Sequence, residues 1–188
     1  HIMKKNKTPR DSMYKRVPFQ QFRGFTLIEL LVTLAVLAIL IAIAVPSMSG
    51  VLERRKVHGA GEKLFADLMY AKTEAIKRNS TVTVSFTGND STWCYGIADD
   101  GAACDCTATD CTVDGVLKVT NQDDFPGVTV IADSTLDGGS TSFTPLRGAA
   151  NGGNLQFSVP IGAELGVVVS SVGRVRMCSA DFDFDACP

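Results

Sequence analysis

Histidine is almost missing from this chain, which has only His1 and His58 in 188 residues. That scarcity excludes a paired-imidazole metal motif and a Ser-His-Asp set, and no glycine-rich phosphate cradle can be assembled either. His1 belongs to a His-Ile-Met start that reads as a cloning remnant, with Met3 or Met13 as natural starts. His58, beside glycine and near lysine, reads as a surface residue of a helix. The expectation is a protein that is not an enzyme and needs no cofactor. An excess of positive charge is lacking too, since the formal net charge is -2, so the chain is no generally basic nucleic-acid binder. Internal repeats and interdomain linkers are absent, and "DGGSTS" and "RGAANGG" read as surface turns. With 45% hydrophobic residues, the length suits one modest core and an appendage.

The charge that is present is unevenly placed. The head before Phe25 holds seven Lys or Arg against the single acid Asp11, and the remainder carries 11 basic and 19 acidic residues. Behind the head, Phe25 to Val45 is one greasy run whose helix would be roughly 31 Å long, close to the hydrocarbon thickness of a bilayer. Basic residues in front and a polar chain behind place the head in the cytoplasm and the body outside. A secretory signal has a shorter apolar region followed by small residues; here the small residue, Gly24, precedes the run. A cut after Gly24 therefore leaves the greasy helix on the mature protein.

Glu29 is the one charge in that run, and a carboxylate in a membrane span costs about 2.5–3.5 kcal/mol on insertion scales. No cation lies within helical reach. Cutting after Gly24 creates one, the α-amino group of Phe25, on the same subunit or a neighbour. Pairing the two charges favours a staggered assembly of subunits.

Residues 46–79 continue as an amphipathic helix, with Val57, Leu64, Leu68, Ala71 and Ala75 near helical spacing. Val51, Leu52, Phe65, Met69 and Ile76 are expected on the same packed side. Gly50, Gly59 and Gly61 are expected to let the helix bend or unwind. After Asn79 short alternating runs separated by Gly, Asn, Asp and Pro read as strands. The fold class is α+β: a long N-terminal transmembrane and amphipathic helix packed on an antiparallel β-domain, stapled by disulfides. The divisions are 1–24, a removed leader; 25–45, a transmembrane helix; 46–79, its amphipathic continuation; and 80–188, the β-domain.

The six cysteines are Cys94, Cys104, Cys106, Cys111, Cys178 and Cys187. An even count in an exported domain reads as disulfides, with 15 connectivities open. Zinc on Cys104, Cys106 and Cys111 is the alternative, opposed by the oxidising compartment and the missing histidines. Calcium on Asp181, Asp183 and Asp185 lacks the spacing of a calcium loop. Near the C-terminus, "GRVRMC" places Arg174 and Arg176 on one face of a strand after the turn residue Gly173. Two guanidiniums on one edge suit phosphate, each fork holding two oxygens, with Arg147 joining if its loop converges on them.

Gly24-Phe25-Thr26-Leu27-Ile28-Glu29 before an apolar helix resembles the class III signal of type IV pilins and type II secretion pseudopilins. The resemblance implies cleavage after Gly24 by a prepilin peptidase, N-methylation of Phe25, assembly with other pilin subunits through Glu29, and a helix-bending role for Pro46. It also implies the pair Cys178–Cys187, which would bound a C-terminal loop as in many pilins. Trp93-Cys94-Tyr95-Gly96 with the cysteine cluster, and Gly173-Arg174-x-Arg176, are similar to the FimT/FimU minor pilins, which share the H-type pseudopilin β-domain. That branch implies a pilus subunit that initiates or caps the fibre, held in the inner membrane before assembly. It further implies binding of double-stranded DNA for natural transformation through Gly173, Arg174 and Arg176. The alternative is an H-type minor pseudopilin of a type II secretion system.

Overall fold

The computed structural model describes residues 24–89, 92–131 and 139–188; the expected leader, apart from Gly24, lies outside them. Helix α1 spans Leu27–Arg78. Its start is set locally, because the Thr26 hydroxyl accepts the Glu29 amide at 3.2 Å, which satisfies one of the free N–H groups of the first turn. Through Leu27–Ala44 the helix is apolar and exposed, and it is long enough to cross a bilayer. Two compact units divide the chain between Ala42 and Ile43.

In the second unit the helix carries a buried stripe, Val57, Ala60, Leu64, Leu68, Ala71 and Ala75. Those positions step by three and four residues, so they share one face. Val51, Leu52, Met69 and Ile76 are exposed, contrary to the expectation that they pack, because they fall off that stripe. The helix also runs through Gly50, Gly59 and Gly61 without a break. Gly61 serves close packing instead, since a Cβ there would stand 1.8 Å from Cδ2 of buried Leu165.

Among the described residues ten strands complete the domain, and all their pairings are antiparallel. β1 (Val82–Asn89), β2 (Thr92–Ala98), β5 (Val119–Asn121) and β7 (Ser140–Phe143) form a sheet in the order β5-β2-β1-β7. β6 (Thr129–Val130), β8 (Gly153–Ser158), β9 (Glu164–Val169) and β10 (Val175–Cys178) form a second, ordered β10-β9-β8-β6. β3 (Thr112–Val113) and β4 (Val116–Leu117) are a small hairpin. One core joins the helix stripe to Val82, Val84, Tyr95 and Phe143 of the first sheet and to Phe157, Leu165 and Val167 of the second. Strand β7 falls where the composition reads as a surface turn. Thr141 and Phe143 are nonetheless fully buried, held by pairing with β1.

Polar ties fix the helix to the sheets. The Tyr95 hydroxyl donates to Asp67 at 2.8 Å, while Lys63 binds the same carboxylate from the helix. At the end of α1, Arg78 bonds Glu74 at 2.6 Å and Asp99 at 3.0 Å and also pairs with Asp114. Three disulfides complete the frame: Cys94–Cys106, Cys104–Cys111 and Cys178–Cys187. Each closes a short loop, which by chain entropy stabilises the fold by about 2–3 kcal/mol. With every cysteine oxidised, no thiolate is left for zinc.

Two tests follow from this packing. Gly96 lies on β2 beneath the Cys104–Cys111 bridge, where a Cβ would stand 2.2 Å from Cys111 Sγ. A disulfide does not yield as a flexible side chain does, so Gly96→Ala should lower stability by about 1–3 kcal/mol in denaturant unfolding. The hydrogen bonds from Arg78 hold the carboxyls of Glu74 and Asp114 below their usual range, with Lys77 adding to the effect on Glu74. Their stabilisation is complete above the unfolded carboxylate range, about 4. It is lost as the pH falls through the lower folded values. Thermal unfolding from neutral pH into acid should show this loss, and Arg78→Gln should flatten it.

Candidate functional site

Two regions carry the candidate residues, one in each unit. In the first, Gly24 and Phe25 precede the helix and both are exposed. Glu29 is exposed as well, on the first turn among Leu27, Ile28, Leu30 and Leu31, which are each more than half exposed. Its position has a local reason in the helix itself: Thr26-x-x-Glu29 is the pattern of a helix capping box, and a carboxylate near a helix N-terminus is stabilised by the backbone dipoles. Pro46 falls within the span of α1, and its side chain lies outside the described residues.

The second region is a pair of turns in the β-domain. Between β9 and β10 the Gly173 amide donates to the Ser170 carbonyl at 2.8 Å, and the Ser170 amide donates to the Arg174 carbonyl at 3.0 Å. Gly173, at φ +73°, supplies the left-handed residue that this three-residue hairpin loop needs. The other turn, Pro145 to Gly148, is closed by the Thr144 amide donating to the Ala149 carbonyl at 2.8 Å. Arg147 and Gly148 both take positive φ there, 72° and 61°.

These turns touch. The Ala150 amide donates to the Ser171 carbonyl at 3.1 Å. A Cβ on Gly173 would stand 1.7 Å from the Gly148 carbonyl oxygen, so only glycine permits this approach. Beneath them lies Lys72 of α1, a residue that its charge alone assigns to a solvated face. Its ammonium donates to the Gly173 carbonyl at 2.8 Å, and its stem lies directly against Gly148. The loops of Arg147 and Arg174 therefore form one edge, clipped to the helix.

Arg174 and Arg176 are both exposed, but they differ in their surroundings. β10 begins at Val175, so Arg174 belongs to the turn and Arg176 to the strand. Among the described residues no carboxylate pairs with Arg147 or Arg174. Arg176 stands 3.6 Å from Asp185, a pair open to water on both sides and therefore weak. Asp185 is held over it by the loop that Cys178–Cys187 closes, where the Ser179 amide donates to the Asp185 carbonyl at 2.9 Å. Asp181 is used differently, accepting the Glu164 amide at 2.9 Å. The described residues hold no group of three His, Cys, Asp or Glu arranged for a metal ion. His58 is half-exposed against the Phe182 ring, 5.4 Å between centroids, and 3.5 Å from Glu62.

Comparison with known proteins bears on both regions. Residues 20–45 match the prokaryotic N-terminal methylation motif, and residues 60–173 match the family described as Type II transport protein GspH. Among solved structures the chain is similar to the type IV minor pilin FimU of Pseudomonas aeruginosa (strain PAO1) in two crystal forms, at 16% identity in each. The P21 form gives a TM-score of 0.47, covering 66% of this chain and 90% of that one; the P65 form gives 0.44, covering 64% and 90%. No protein of curated function matches. The family match takes in more than half of the chain, including Lys72, Arg147 and Gly173, and the chain belongs to the Type II transport protein GspH family of pilin-like proteins with an N-terminal methylation motif.

Proposed function

We propose that this protein is a minor type IV pilin, a structural subunit that helps to initiate or cap a pilus. The observation that carries this reading is the methylation motif over residues 20–45 leading into the exposed apolar helix Leu27–Ala44. Prepilin peptidase removes residues 1–24 and the new Phe25 amine is methylated. Residues 25–45 hold the subunit in the inner membrane as a single span, with residues 46–79 as the helix continuation and the β-domain of residues 80–188 in the periplasm. In the fibre Glu29 pairs with the Phe25 amine, so that two charges leave water together rather than one alone.

The same subunit binds duplex DNA through Arg147 and Arg174, with Arg176 joining when it releases Asp185. The support is geometric, since two exposed guanidinium side chains spring from turns whose backbones touch. A planar guanidinium grips phosphate oxygens two at a time. With only two or three phosphates neutralised, binding is weak and its salt dependence shallow, with a log–log slope of about -2 to -3. A second reading is favoured by the description of the matching family as a type II transport protein. In it the chain is the H-type minor pseudopilin of a type II secretion system, and its deletion abolishes secretion rather than piliation.

Two experiments test these roles. In cells, Gly24→Ala should retain its leader, as seen by N-terminal mass spectrometry. Glu29→Ala should be cleaved normally yet be missing from sheared pili. Wild-type incorporation of both variants would refute the assembly role. In solution, the full chain in neutral detergent should bind duplex DNA in a salt-sensitive way that Arg147→Gln with Arg174→Gln removes. Asp185→Asn should strengthen that binding by freeing Arg176; equal affinity for all three proteins would exclude the arginine edge.

A further inference from the structure

Two exposed apolar side chains flank the arginines of the paired turns. Leu146, 76% exposed, immediately precedes Arg147, and Val172, 71% exposed, precedes Gly173-Arg174. Single apolar residues on a surface are ordinary. These two differ because each caps a closed turn and the turns are fixed on one another. The bond from Ala150 to Ser171, the contact of Gly173 with the Gly148 carbonyl and the Lys72 ammonium on Gly173 all restrain the same few residues.

A site that only neutralised phosphate would need the guanidiniums and nothing apolar. Here the order apolar residue then arginine occurs on both turns, one directly and one across a glycine. In proteins that engage the minor groove, cationic side chains hold the backbone and groove while an apolar side chain enters a partly unstacked base step. We propose that the twin turns are such a wedge: Arg147 and Arg174 hold phosphates on either side while Leu146 and Val172 enter an opened step of duplex DNA. This proposal rests on the DNA-binding reading above. It adds a preference for steps that unstack easily, pyrimidine–purine steps such as TA, with no other dependence on sequence.

The test uses the full chain in neutral detergent and a short duplex with 2-aminopurine in a central TA step, titrated by anisotropy and by probe fluorescence over a salt series. Wild type should raise the probe fluorescence as it binds. Leu146→Ser with Val172→Ser should lose that rise and bind about tenfold more weakly at an unchanged salt slope, because the phosphate contacts remain. Leu146→Met with Val172→Ile should restore both signals, which separates a wedge from a disturbed fold. Wild-type affinity and an undiminished rise in the serine variant overturn the wedge, as does wild-type binding with no rise. In either case, loss of binding in Arg147→Gln with Arg174→Gln leaves the arginine site standing. Failure of wild type to bind the duplex, with binding instead to phosphatidylglycerol vesicles through the same residues, overturns both readings and assigns the tip to lipid.

Discussion

Between Val57 and Ala75 one face of α1 is closed over by two antiparallel sheets, and the remaining contacts of the domain are arranged around that closure. Fully burying a Val or Leu side chain contributes about 1.5–3 kcal/mol, so the stripe sets the rotation of the helix against the sheets. Once it is set, Gly61 faces Leu165, Asp67 meets the Tyr95 hydroxyl and Arg78 reaches Asp99 and Asp114. Lys72 follows from the same rotation. One residue past buried Ala71, it lies at the edge of the stripe, where its stem packs on Gly148 and its ammonium reaches Gly173.

The arginine edge is therefore a tertiary product rather than a strand pattern. A hairpin loop from the second sheet and a turn that follows the first meet over the helix, where Gly173 lets their backbones touch and Gly148 leaves room for the Lys72 stem. The edge lies on an acidic molecule, and one of its three arginines already faces Asp185. Arg147 and Arg174 are the better placed for an outside anion. On the proposed function the two duties are separable, filament contact through the N-terminal helix and anion contact through the β-domain.

How much of this was legible in the sequence depended on whether an element announces itself through apolar periodicity. The 21-residue run, the stripe from Val57 to Ala75 and the apolar positions of strands β1, β8 and β9 do so. Ser140–Phe143 does not, because Ser and Thr alternate as they do in turns, and its strand character comes from pairing with β1. The bridges Cys94–Cys106 and Cys104–Cys111 interleave in chain order, which spacing cannot select from 15 connectivities. In the arginine region, residue type and the Gly173 turn pointed to Arg174 and Arg176. The convergence of Arg147, the clip by Lys72 and the competition from Asp185 all depend on contacts between residues far apart in the chain. Thr26-x-x-Glu29 is the opposite case, a local signal that a membrane-based argument passes over.

The central claim is that α1, through Lys72, holds the two arginine turns together as one edge. Amide hydrogen exchange on the full chain, comparing wild type with Lys72→Met, tests it most directly. The account predicts faster exchange in the variant at the Gly173 and Ala150 amides, which donate to Ser170 and Ser171, while protection along β8 and β9 stays unchanged. Unaltered protection at those two amides would contradict it, because the turns would then hold their positions without the helix.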